Sequence, residues 1–330
     1  MECQWLTEQD IINAMHAVKG HVKTTPLVRA EALEALGDGA QIWLKLEGHQ
    51  HTGSFKVRGV VNKMLNLTAE ELKQGVTAAS SGNHAQAVAY IARQLNTKAV
   101  IVMPENAPAT KVAGAKSYGA EVVLCGFTGE ERDAKCDELI CDHGYCLVHS
   151  HIDPYVMAGH ATAATEAIAQ SEDEFDQIVL PCGAGSLTAG AAFAVKQFYP
   201  HVKVTAVEPM QVPRFTESLR ADCPMTVHMG QTIADGLRVS KAESINYELI
   251  HACVDYLHTV EESDIERAVY ELFFKGKVVA EPSASVGIAA ALAGKIDLRQ
   301  GRKICFVITG GNIDASLYAR LLRQQPVCHK

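Results

Sequence analysis

Gly75-Val76-Thr77-Ala78-Ala79-Ser80-Ser81-Gly82-Asn83-His84-Ala85-Gln86 passes from an apolar segment through a small polar loop into a helix-length stretch, Ala85–Leu95. The alternation then repeats. Ala99–Met103 reads as a strand, Pro108–Tyr118 as a helix, Glu121–Leu124 as a strand, Glu130–Asp142 as a helix and Tyr145–Val148 as a strand. Apolar strands alternating with helix-length segments predict a parallel sheet covered on both faces. Ile178–Pro181 with a helix to about Phe198, Val202–Val207, helices at Glu262–Lys275 and Ala284–Ala293, and the strand Lys303–Ile308 predict a second such unit. Upstream, Thr7-Glu8-Gln9-Asp10 has the form of a capping box opening a helix to about Lys19. Thr25–Val28 reads as extended, because the residue before a proline is pushed out of the α region. Gln41–Glu47 reads as a strand, Val57–Leu67 as a helix and 209–245 as irregular. The fold class is α/β with two parallel-sheet units, in which ligands sit at the carboxyl ends of strands.

Composition limits the partners. The 330 residues suggest about two domains, and 48% hydrophobic with 21% charged residues fits a globular protein. A net charge of −8 without a basic run argues against nucleic acid or an anionic membrane surface. No apolar run reaches the roughly 18–20 residues of a membrane span, and Met1–Asp10 lacks the pattern of an export signal. Ten cysteines occur without a CxxC pair, and Cys125, Cys182 and Cys305 fall inside strand patterns, where cysteine acts as a small hydrophobe. Free thiols in a reducing cytoplasm are expected. Cys136, Cys141, His143 and Cys146 lie close together, but their spacing fits no standard zinc pattern, so no metal is expected there.

Four strand-end loops carry candidate chemistry. Thr52-Gly53-Ser54-Phe55-Lys56-Val57-Arg58-Gly59 places one lysine among small residues beside an aromatic face; a lysine so held can form a Schiff base, and Phe55 offers a surface for a planar ring. Ser80–Gln86 sets two hydroxyls, a glycine and an amide at a helix N-terminus, which suits a carboxylate. Cys182-Gly183-Ala184-Gly185-Ser186-Leu187-Thr188 offers successive N–H groups for a phosphate. Glu208 imitates the ribose-binding acid of a dinucleotide fold, but Thr188 stands where GxGxxG needs its third glycine. Thr309-Gly310-Gly311-Asn312 places a hydroxyl at a strand end. A ligand with a phosphate, a flat ring and an aldehyde meets these demands together, as pyridoxal 5′-phosphate does.

With Thr232-Ile233-Ala234-Asp235-Gly236 and Glu281-Pro282-Ser283 added, six motifs stand in an order that resembles the serine/threonine dehydratase and serine racemase family, over about residues 10–320. The resemblance implies a fold-type II architecture similar to the tryptophan synthase β chain. A large cofactor domain would comprise 1–70 and 153–330, and a small mobile domain 71–152. It implies that Lys56 holds the cofactor and removes the substrate Cα proton, that Phe55 lies along the ring, and that Asn83 bonds the ring's phenolic oxygen. Gly183, Ala184, Gly185, Ser186 and Leu187 would hold the phosphate, and Thr309 would face the pyridine nitrogen. Ser80, Ser81, Gly82, Asn83 and His84 would take the substrate carboxylate, with Ser81 where racemases carry a second acid/base. The implied activity is β-elimination from L-threonine, L-serine or a similar 3-hydroxy amino acid. Serine racemisation and 3-hydroxyaspartate or hydroxyectoine-related dehydration are the alternatives within the family. An NAD-linked oxidoreductase and a non-catalytic amino-acid-binding protein are those outside it. A homodimer is expected. The 18 residues after Asn312 leave no room for a regulatory domain, so feedback control by isoleucine is not expected.

The departures from the family pattern are informative. Its racemases bind Mg²⁺ through a Glu, a backbone carbonyl and an Asp; here Glu208 and Val212 match, but Arg214 takes the Asp position. A fixed guanidinium opposes a divalent cation, so no metal is expected and a Glu208–Arg214 pair stands in its place. His160 replaces a common Gln, and His149-Ser150-His151 replaces an aromatic-containing stretch. His151 and His49 are expected near the cofactor loops, where they would suit a more polar or anionic substrate.

Overall fold

The computed structural model describes residues 4–171 and 175–323; Cys3 and Cys328 lie outside them. Ten strands, β1 (Leu27–Arg29), β2 (Gln41–Leu46), β3 (Val76–Ala79), β4 (Ala99–Met103), β5 (Glu121–Leu124), β6 (Cys146–Leu147), β7 (Gln177–Pro181), β8 (Lys203–Pro209), β9 (Tyr256–Val260) and β10 (Lys303–Ile308), form two sheets. The larger runs β1-β2-β10-β7-β8-β9 and the smaller β5-β4-β3-β6. Every pairing is parallel except the antiparallel edge β1–β2. The helices in chain order are α1 (Glu8–Val18), α2 (Lys56–Leu65), α3 (Ala69–Gln74), α4 (Asn83–Gln94), α5 (Ala109–Ser117), α6 (Gly129–His143) and α7 (Pro154–Gln170). They continue as α8 (Ser186–Phe198), α9 (Arg214–Ala221), α10 (Ser244–Cys253), α11 (Glu262–Phe274), α12 (Pro282–Leu292) and α13 (Ala315–Arg323).

Local chemistry explains much of this. Thr7 caps α1 reciprocally with Asp10, and Thr128 caps α6 with Glu131. All of β4 is buried, as a central strand covered on both faces must be. The stretch 209–245, expected to be irregular, contains α9 and the start of α10. The reading also passed over α7, whose Ala, Gly and Thr residues are buried almost along its whole length. A helix enclosed on all sides has no polar face and so leaves no amphipathic period to detect. β9, α10 and α13 were likewise not anticipated.

The core of the smaller sheet draws on α2. Val57, Val60, Val61 and Met64 share one cluster with Val76, Ala78, Val88 and Ile101. The helix that begins at Lys56 lies between the two units: it packs on α4 of the smaller and on α7 of the larger, where Asn62 Nδ2 donates to the Tyr155 carbonyl at 2.7 Å. Four loops leave carboxyl ends of strands: 47–55 after β2, 80–82 after β3, 182–185 after β7 and 309–312 after β10. Among the described residues no helix is long and apolar enough to cross a membrane.

Candidate active site

The lysine loop is fastened to the turn after β10. Phe55 N–H donates to the Thr309 carbonyl at 3.0 Å, Gly311 N–H to the Gly53 carbonyl at 3.0 Å, and Asn312 Nδ2 to the Thr52 carbonyl at 2.8 Å. The fit demands glycine at 53: φ is +72°, and a Cβ there would lie 2.4 Å from Asn312 Oδ1. Thr52 adopts φ 61°, a left-handed conformation a β-branched residue takes only under constraint. Beneath the loop, the fully buried Arg58 binds Glu47 through Nε and Nη2, each at 2.8 Å, and reaches Glu166 at 2.8 Å. Lys45 joins Glu166 at 2.5 Å. Above it, Lys56 Nζ lies 4.8 Å from the Phe55 ring centroid and donates to the Ser150 carbonyl at 3.4 Å. Burial pulls its amine down to about 8, with the Glu281 carboxyl opposing.

The 182–186 loop is held from behind by its carbonyls. Arg214, fully buried, donates Nη2 to the Cys182 carbonyl at 3.1 Å and Nε to the Gly183 carbonyl at 3.0 Å, and binds the Leu237 and Val239 carbonyls through Nη1. Asn246 Nδ2 donates to the Ala184 carbonyl at 2.8 Å. With these carbonyls engaged, the N–H groups of residues 184–187 meet no backbone acceptor among the described residues, and they stand at the N-terminus of α8. Gly185 has φ +98°, and a Cβ there would meet the Phe215 ring at 2.7 Å. The expected Glu208–Arg214 pair is loose, at 3.8 Å. Glu208 instead accepts from the backbone N–H groups of Phe215 and Thr216 and from the Thr216 hydroxyl. Burial raises its pKa and lowers that of Arg214.

The third loop joins the first. Ser80, Ser81 and Gly82 form the turn before α4, partly exposed, with Gly82 N–H on Ser80 Oγ at 3.2 Å. Asn83 Nδ2 donates to Glu281 Oε1 at 2.9 Å, and Asn83 Oδ1 accepts from Asn312 at 2.8 Å. Burial pushes the Glu281 carboxyl up to about 7. His84, buried, donates Nε2–H to the Val148 carbonyl at 2.8 Å; burial and the Lys56 charge pull its pKa down to about 3, so it is neutral. His151 is a neighbour of Lys56, packs edge-on against His149 with ring centroids 4.6 Å apart, and has its carbonyl held by Asn246 at 3.0 Å. His49 lines a cavity of about 300 Å³ beside the lysine loop and the 309–312 loop, together with Gly53, Lys277 and Asn312. The lysine and 182–186 loops meet through His160, whose ring lies 4.7 Å from that of Phe55 and whose Nδ1 is 3.0 Å from Ser186 Oγ.

A family model described as pyridoxal-phosphate dependent enzyme matches residues 18–310. The chain belongs to the pyridoxal-phosphate-dependent enzymes. It is 38% identical to an L-threonine ammonia-lyase of Thermotoga maritima over 97% of this chain and 79% of that one. It is 36% identical to an L-threo-3-hydroxyaspartate ammonia-lyase of Saccharomyces cerevisiae over 96% of both. Its fold matches the crystal structure of serine racemase from Dictyostelium discoideum with a TM-score of 0.88, at 33% identity, over 94% of this chain and 99% of that one. The site suits the family's cofactor chemically: it offers a buried amine of lowered pKa for an aldehyde, a phenyl face for a ring, and a row of N–H groups at a helix N-terminus for a phosphate. Sequence reading assigned no part in the site to Asn246 or Glu281. Glu281 could have been found, because it heads the Glu-Pro-Ser motif. Asn246 sits in a helix with no distinguishing pattern around it, and only the fold brings it to Ala184.

Proposed function

We propose that this pyridoxal-phosphate-dependent enzyme is an ammonia-lyase that removes water and ammonia from an L-3-hydroxy amino acid. The observation that carries the reading is the single assembly of Lys56, the Ser80–His84 loop and the 183–187 loop, supported by relatives named as ammonia-lyases. Gly183, Ala184, Gly185, Ser186 and Leu187 hold the cofactor phosphate through backbone N–H groups and the Ser186 hydroxyl. Phe55 would cover one ring face, Asn83 would bond the phenolic oxygen and Thr309, buried at the end of β10, would face the pyridine nitrogen. The cofactor supplies an aldehyde for amino groups and a ring that takes up the electrons of a broken Cα–H bond.

Ser80, Ser81, Gly82, Asn83 and His84 receive the substrate carboxylate at the N-terminus of α4, where the first-turn N–H groups and the helix dipole favour an anion. Lys56, neutral above about pH 8, takes the Cα proton. The β-hydroxyl leaves as water, and the released enamine hydrolyses to a 2-oxo acid and ammonia. The Thr309 hydroxyl would not keep a pyridine nitrogen protonated as a carboxylate would, so a ring held there would be a shallower electron sink and elimination would compete well. His149 and His151 lie near Lys56 and are kept neutral by burial, so they offer hydrogen bonds to a polar substrate side chain, hence a second reading in which 3-hydroxyaspartate is preferred. Ser81 across the ring from Lys56 would add racemisation.

Several further expectations stand with this reading. The smaller unit closes over the substrate, with the Lys111–Asp235 pair at 2.8 Å joining α5 to the 232–236 loop. No metal binds at Glu208, whose carboxylate accepts from the Phe215 and Thr216 N–H groups and the Thr216 hydroxyl. The enzyme is a cytoplasmic homodimer. The test is a panel of L-threonine, L-serine and 3-hydroxyaspartate assayed for ammonia and 2-oxo acid, with D-serine measured beside pyruvate. Lys56→Ala should abolish turnover, and turnover retained in that variant sinks the proposal.

A further inference from the structure

Asn246 stands behind the site on α10 and is fully buried. Its amide has two N–H hydrogens to donate, and both are used. Nδ2 donates to the Ala184 carbonyl at 2.8 Å and to the His151 carbonyl at 3.0 Å, acceptors 62 and 95 residues away along the chain. Ala184 belongs to the loop after β7 of the larger sheet, and His151 to the connection between β6 of the smaller sheet and α7. Gly185 lets the first loop lie directly on this side chain, because a Cβ there would come within 3.0 Å of Asn246 Cβ. The direction of the amide is fixed by its surroundings. Turned over, it would set Oδ1 against two carbonyl oxygens and leave both without a donor. As it stands, only Oδ1 is buried without a partner, and one orphaned acceptor costs less than two carbonyls facing an oxygen. The residue therefore acts through its two N–H groups.

The His151 carbonyl is one peptide away from the Ser150 carbonyl, on which Lys56 Nζ rests at 3.4 Å. Within that segment the N–H groups of His151 and Ile152 both turn to His149 Nδ1 at 3.2 Å, so the turn is closed on itself. Asn246 ties this turn to the 182–186 loop.

We propose that Asn246 is a positioning residue that holds the 183–187 N–H groups and the acceptor of the Lys56 amine in one frame, so that the phosphate and the aldehyde of a single pyridoxal 5′-phosphate are met together. The inference rests on the reading of the 183–187 loop as the phosphate site and of Lys56 as the amine for the aldehyde. Each half of the site survives without Asn246, because Arg214 still grips the Cys182 and Gly183 carbonyls and Lys56 still meets Ser150. What is lost is the advantage of binding two groups of one molecule at once, which depends on how firmly their two sites are held relative to each other.

The experiment titrates the cofactor-free full-length protein with pyridoxal 5′-phosphate, with pyridoxal, which lacks the phosphate, and with pyridoxamine 5′-phosphate, which lacks the aldehyde. Binding is read from absorbance and fluorescence. Asn246→Leu, of similar size but without a donor, should weaken pyridoxal 5′-phosphate by about tenfold and each of the other two by less than about twofold. Asn246→Asp, of the same shape but with neither N–H, should show the same selectivity and guards against a packing defect in the leucine variant. In the wild-type protein, inorganic phosphate should slow amide exchange in 149–152 as well as in 182–187; in Asn246→Asp it should do so in 182–187 alone. Equal losses for all three ligands, no loss for pyridoxal 5′-phosphate, or wild-type protection confined to 182–187 overturn the proposal. A wild-type protein that binds pyridoxal 5′-phosphate no more tightly than pyridoxal overturns the reading of the 183–187 loop itself. One that binds it no more tightly than pyridoxamine 5′-phosphate overturns that of Lys56.

Discussion

Two loops of the site rest on fully buried guanidiniums, and the two are held in opposite ways. Under the lysine loop, Arg58 is gripped by the carboxylates of Glu47 and Glu166, which lift its pKa above the ordinary value despite burial. Under the 182–186 loop, Arg214 is gripped by peptide carbonyls, its one carboxylate lies 3.8 Å away, and burial lowers its pKa. The first arrangement neutralises charge and fastens β2, α2 and α7 together. The second turns carbonyls and so aims N–H groups, leaving positive charge near the place where an anion binds. A buried ion pair is costly to break because its partner is left uncompensated, whereas a carbonyl clamp mainly costs orientation. Arg58 should therefore govern stability and Arg214 cofactor affinity.

Removing the cation of the first loop gives the largest expected effect. Arg58→Ala should destabilise the cofactor-free protein by about 3–5 kcal/mol, read from denaturant midpoints, because Glu47 is left buried and unpaired. Arg214→Ala should cost less stability, about 2–3 kcal/mol, but should lower pyridoxal 5′-phosphate affinity by about tenfold or more. Wild-type melting temperature and turnover should be indifferent to EDTA and added Mg²⁺. If Arg214→Ala lost more stability than Arg58→Ala, or if chelation inactivated the enzyme, the contrast between the two clamps would collapse.

The smallest effect is a shift in pH. The Lys56 pKa is lowered by burial, so the reactive neutral amine appears as pH rises through about 8 rather than through the ordinary lysine range. Capture of the cofactor aldehyde by cofactor-free protein should accelerate up to about that pH and then level off. Glu281 opposes the lowering, so Glu281→Gln should move the inflection to lower pH. An inflection that stayed put would show that Asn83 screens the carboxylate from Lys56.

The strand ends were legible because buried parallel strands are apolar runs and the loops after them break into Gly, Ser, Thr and Asn. That Lys56, the Ser80–His84 turn and the 183–187 loop follow strands could be read for that reason. The enclosed α7, with His160 and Glu166 on it, could not, because a helix buried on every side shows no period. That α2 lies between the two units was also hidden, since Val57, Val60, Val61 and Met64 would suit either core.

By itself the sequence determined the α/β class, the order of the loops and which lysine is the candidate for the Schiff base, all of which depend on local pattern and residue chemistry. The tertiary structure alone decided which groups stand behind those loops. Arg214 reaches the carbonyls of Cys182 and Gly183, Asn246 that of Ala184, Glu281 the amide of Asn83, and His160 the hydroxyl of Ser186. These contacts join residues far apart in the chain. Hydrogen bonds depend on ångström distances and donor direction, which no spacing along a sequence encodes.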